Sequence, residues 1–139
     1  MRRSLAVCAC LLSVALTSWA CDNGPSTGPS PNPGDPVTET FSGTLTLNGA
    51  VTYPFNVSRA GSVTATVTAV DPSGSVIGMQ MGTWDTVTCT AVVSNNLAST
   101  ASVLTANTSS SASLCLHVHD PNGVLTANPV NYTVTVVHF

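Results

Sequence analysis

From Thr38 onward, apolar and polar residues alternate with a period of two. Phe41, Gly43, Leu45 and Leu47 interleave with Ser42, Thr44 and Thr46. Val63, Ala65, Val67 and Ala69 interleave with Thr64, Thr66 and Thr68, and Tyr132, Val134 and Val136 with Thr133 and Thr135. Successive side chains of an extended chain point to opposite faces, so this pattern buries the valines and wets the threonines. Valine and threonine are also the β-branched residues that a pleated surface accommodates best. Helical spacing is absent throughout.

Turn chemistry punctuates the runs at Asn48-Gly49, Ala60-Gly61, Asp71-Pro72-Ser73-Gly74, Asn95-Asn96 and Asp120-Pro121-Asn122-Gly123. The segments between predict about eight strands: 38–47, 51–58, 62–70, 75–82, 86–94, 101–105, 112–119 and 131–138. That many short strands in about 100 residues predict an all-β, antiparallel, two-sheet β-sandwich of jelly-roll-like character. Pro54 cannot donate to a ladder, which places its run at a sheet edge or a bulge.

The first 36 residues have a different texture. Met1-Arg2-Arg3 is a short basic region, Leu5 to Leu16 an apolar stretch, and Ser18-Trp19-Ala20 ends in small residues. This is the three-part layout of a signal peptide over 1–20. The apolar stretch is shorter than the ~20 residues a spanning helix needs. Residues 21–38 read as a tether rich in Pro, Gly and Ser, with Pro25, Pro29, Pro31, Pro33 and Pro36 keeping it extended over very roughly 30–45 Å. Residues 39–139 are the domain. Gly24-Pro25-Ser26-Thr27-Gly28 matches the G-x-S-x-G nucleophile pattern, but lacks the strand before it and the helix after it that give that pattern its chemistry.

Cysteine bookkeeping supports export. Cys8 and Cys10 leave with the signal, so Cys21, Cys89 and Cys115 remain. Cys21 directly follows Ala20, as in the lipid-modification box of bacterial lipoproteins, where that residue is acylated. The box departs from the usual pattern at Ser18 and Trp19. Ordinary cleavage after Ala20 would instead leave Cys21 as a free thiol and the protein soluble and secreted. Two or three acyl chains anchor a protein stably where one is marginal. Cys89 and Cys115 are then the pair available for a disulfide in an oxidising compartment. Because Leu114, Leu116 and Val118 claim the core, Cys115, His117 and His119 are expected to face outward, making the bridge a surface link.

Charge narrows the partners. Only 6% of the residues are charged and lysine is absent. Once Arg2 and Arg3 are removed, Arg59 stands alone against Asp22, Asp35, Glu39, Asp71, Asp85 and Asp120. One cation cannot neutralise several phosphates, so nucleic acid is excluded. An anionic membrane patch is excluded for the same reason, which leaves the N-terminal lipid as the membrane contact. An unidentified protein or polysaccharide is the remaining kind of partner.

With Phe41-Ser42-Gly43-Thr44-Leu45, Tyr53-Pro54-Phe55-Asn56-Val57, Ala60 to Val67, Leu114 to Asp120 and Tyr132 to Val136, the segment Glu39 to Phe139 resembles a bacterial pre-peptidase C-terminal domain. That resemblance implies a jelly-roll-like sandwich, non-catalytic, that accompanies exported enzymes and aids secretion or substrate association. Two features depart from the family. No catalytic domain precedes the segment here, and Val76 to Met81 replaces the acidic residues relatives carry in the middle strands.

The site chemistry is sparse. His117-Val118-His119 can present two imidazoles to one metal, but no third ligand is evident, since Asp120 opens a turn and His138 lies on another strand. The pair reads as surface histidines, with a metal-binding envelope protein as the alternative. Asp71 and Asp120 read as turn carboxylates, and Tyr53, Phe55 and Trp84 as packing rather than a stacking platform. No local frame sets a nucleophile beside a base, and no cofactor motif is present, so the expectation is a non-enzyme without cofactor. The expected role is a binding or structural module at the cell envelope, or an accessory module for a separate secreted enzyme.

Overall fold

The computed structural model describes residues 34–123, 125 and 129–139. Eight strands follow in order: β1 (Val37–Leu45), β2 (Ala50–Val57), β3 (Gly61–Asp71), β4 (Ile77–Trp84), β5 (Cys89–Ala98), β6 (Val103–Thr108), β7 (Ala112–His119) and β8 (Val130–His138). One turn of 3₁₀ helix, Pro121–Gly123, follows β7. The strands form two four-stranded sheets, β1-β8-β3-β6 and β2-β7-β4-β5, and every pairing is antiparallel. Among the described strands, only β4 and β5 are joined as a neighbouring hairpin; every other connection carries the chain to the opposite sheet. This is the strand order of a jelly roll, two interleaved Greek keys.

The core lies between the sheets and is built from the alternation. Val63, Ala65 and Val67 of β3 meet Tyr132, Val134 and Val136 of β8 from one side, with Met79, Met81, Leu114, Leu116 and Val118 opposite. Each fully buried aliphatic side chain contributes roughly 1.5–3 kcal/mol of transfer free energy. One flank, between β1 and β2, is sealed by aromatic rings. Phe41 stacks on Tyr53 with centroids 4.9 Å apart, and the Tyr53 and Tyr132 hydroxyls meet at 2.7 Å. Gly43 lies beneath both hydroxyls, where a Cβ would come within 2.6 Å of Tyr132 Oη. Burial and the hydrogen bond with Tyr53 push the Tyr132 phenol far above its ordinary range, so it stays protonated.

Several expectations need correction. β1 begins at Val37, so residues 37 and 38 are strand rather than tether. Leu47 is not in β1: the strand ends at Leu45 and Leu47 sits half-exposed in the turn. Thr68 is an extra residue against β8, which reverses the parity of β3, so Ala69 turns outward and Val70 inward. Asn95-Asn96 is no chain reversal but part of β5, which runs on to Ala98. Asn96 and Leu97 together oppose Gly78 in a bulge, and Asn95 Oδ1 accepts the Leu97 N–H at 2.9 Å. The turn preference of asparagine is spent on the bulge. Pro54 is in register with Cys115, on the edge strand β2, where its missing N–H costs no ladder bond.

Candidate functional site

The sequence candidates converge on the outer face of the β2-β7-β4-β5 sheet. Along β7, Leu114, Leu116 and Val118 enter the core, while Cys115, His117 and His119 take the other face. Cys115 is joined to Cys89 by a disulfide, with Cα atoms 5.8 Å apart. The bridge is not the open surface link expected from alternation, because Cys115 has no exposure at all. Its cover comes from β5. Val92 is an extra residue opposite the Met81–Gly82 step, so the start of β5 swings across the outer face of β4. Gly82, in register with Cys115, makes this approach possible. A Cβ there would run into the Thr90 carbonyl oxygen and lie 2.6 Å from its carbon.

The two histidines come together as a stack rather than as a chelate. Their ring centroids are 5.3 Å apart with planes inclined by 24°. His117 Nδ1 is held by the Thr52 hydroxyl of β2 at 2.8 Å, and the His119 ring lies over Gly78 of β4, its Nε2 nearest the glycine. His119 Nδ1 is buried without a hydrogen-bond partner among the described residues. Imidazole lone pairs lie in the ring plane, so near-parallel stacked rings direct them alongside one another instead of toward a shared ion. Among the described residues, no group of three or more His, Cys, Asp or Glu is placed to hold a metal ion.

Burial pushes the His117 imidazole below its ordinary value of 6.5. Burial does the same to His119, reinforced by repulsion from His117 and opposed by Asp120. The unfolded chain takes up these protons near pH 6.5, while the folded chain resists them. Their contribution is therefore complete above that pH and lost as the pH falls through it. Both rings are partly solvated, so the expected loss is under about 1 kcal/mol in all. Urea midpoints at pH 7.5 and 5.5 should show it, and His117→Gln with His119→Gln should flatten the difference; an equal or larger drop in the double variant would refute the assignment.

The remaining candidates are dispersed. His138 points into the core from β8, 3% exposed, with Nε2 2.9 Å from Glu39 Oε1 and its ring against Phe55. Asp120 fastens two connections: Oδ2 accepts the Asn48 N–H at 2.8 Å and Oδ1 the Leu125 N–H at 3.1 Å. Asp71 ends β3, where a cis peptide leads into Pro72. Tyr53 and Phe55 belong to the inward face of β2, and Trp84 closes β4 on the outer face, so the three form no common platform.

Sequence reading missed Gly78 and Gly82, whose roles depend on which strand crosses them. It also missed Asp85, whose Oδ1 accepts the Val87 and Thr88 N–H groups and whose acidity is raised by those bonds. Asp followed by Thr-Val-Thr was a readable Asx-turn signal. Cys21 and the G-x-S-x-G match lie outside the described residues. Neither protein-family models nor curated proteins yield a match to this chain.

Proposed function

We propose that the chain is an exported, lipid-anchored, non-catalytic jelly-roll module that acts by binding or by structural support at the cell envelope. The observation that carries this reading is the pairing of Cys89 with Cys115. A bridge with one sulfur sealed inside the fold favours an oxidising compartment. It also leaves Cys21 as the odd cysteine, at the position that follows Ser18-Trp19-Ala20. The strand order supports the further reading of a module of pre-peptidase C-terminal type, accessory to a separate exported enzyme.

Metabolic labelling with an alkyne fatty acid tests the anchor. Wild type should carry the label and partition with membranes, and Cys21→Ser should lose both. Equal labelling of the two forms, or a soluble unlabelled wild type, would overturn the lipid-anchored reading.

A further inference from the structure

The two flanks of the sandwich are closed differently. The β1–β2 flank is filled by Phe41, Tyr53 and Tyr132, whereas the β5–β6 flank is bordered by small or aliphatic residues. A cleft of about 220 Å³ opens there, with Met81 and Leu114 at its floor and Ala106 and Ala112 on its sides. Val92, 65% exposed, forms one wall. It is the bulge residue of β5, three positions after the bridged Cys89. At roughly 30 Å³ per water-sized group, the space takes about seven such groups.

The rim decides the chemistry. Thr108 spends its hydroxyl on the Arg59 and Gly61 carbonyls, and Ser110 on the Ser111 carbonyl. The Thr83 and Ser109 hydroxyls border the opening and make no hydrogen bond among the described residues, whereas Asn107, beside inward Ala106 on β6 and in register with exposed Ser62, turns its carboxamide to the outer face. The two hydroxyls both donate and accept, and no lining residue is ionisable. A charged head would lose hydration there without gaining an opposite charge.

We infer that the β5–β6 cleft binds the short aliphatic end of a neutral molecule whose hydroxyl or amide head is held by Thr83 and Ser109. This inference deepens the reading of the domain as a binding module and rests on it.

Hexan-1-ol is the probe, with hexanoate and hexylammonium as charged counterparts, on the oxidised chain carrying ¹³C-labelled methyl groups. Hexan-1-ol should shift the Met81, Leu114, Ala106 and Ala112 methyl signals saturably, and both ions about tenfold more weakly or worse. Ala112→Phe should abolish the response at unchanged Tm; Ala106→Leu is the second filling variant, should the first unfold. Absence of saturable shifts up to the solubility limit would overturn the site. Equal binding of the ions would overturn the neutral head, and a response that survives a folded filling variant would overturn the location. None of these results depends on Cys21, so fatty-acid labelling fails or succeeds separately.

Discussion

Gly82→Ala is expected to destabilise the domain by about 3 kcal/mol, the upper range for overpacking, because its new methyl group meets backbone and not a movable side chain. The substituted Cβ would collide with the Thr90 carbonyl oxygen and stand 2.6 Å from the Thr90 carbonyl carbon and 2.8 Å from Ala91 Cα. Those atoms cannot rotate away. The start of β5 has to lift, and Cys89 is carried with it, strained against Cys115. Gly78→Ala supplies the contrast four residues earlier on the same face: there the obstacle is the His119 ring, which a change of side-chain torsion moves aside. Its expected cost is about 1 kcal/mol, near that of an off-rotamer side chain. Gly34→Ala, with nothing within 4 Å, should change stability by less than about 0.5 kcal/mol. Urea denaturation of the three variants orders them; a Gly82→Ala midpoint equal to that of Gly78→Ala would show that β5 does not lie over Gly82 in solution.

The same residues show what could be read from the chain and what could not. Period-two alternation is local, so the strands, the sandwich class and the inward valines of β3 and β8 were legible. The edge placement of Pro54 followed from a missing N–H. Bulges were not legible, because an inserted residue such as Thr68 or Val92 reverses the faces without altering composition. Asn95-Asn96 misled for a related reason: asparagine bends the backbone equally well inside a strand, where its carboxamide secures the bulge. Alternation also gave the correct face for Cys115, His117 and His119. It gave no sign of what covers them, since β5 crosses Gly82 through a bulge in its hairpin with β4, and β4 lies under His119 through a pairing that spans tens of residues. The cleft belongs to this second kind of feature. Its lining is drawn from β4, β5, β6 and β7 and the loop between the last two, and no segment announces it alone.

Removing the bridge tests the link between the sealed sulfur and the shape of the domain. Its residues are separated by 26 positions in sequence. In the chain-entropy model, cross-linking a loop of that length stabilises by ~3 kcal/mol through the unfolded state. Cys89→Ala with Cys115→Ala should therefore lower the urea midpoint by an amount comparable to Gly82→Ala. Cys115→Ser in place of Cys115→Ala should cost more, because it leaves a hydroxyl under β5. The two sites are coupled by geometry: once Cys89 is free, the start of β5 can rise to admit the Gly82 methyl group. The combined loss in the triple variant should fall short of the sum by at least about 1 kcal/mol in a double-mutant cycle. Strict additivity would mean that β5 is held over β4 by its ladder alone, and that the disulfide fastens a strand already in place.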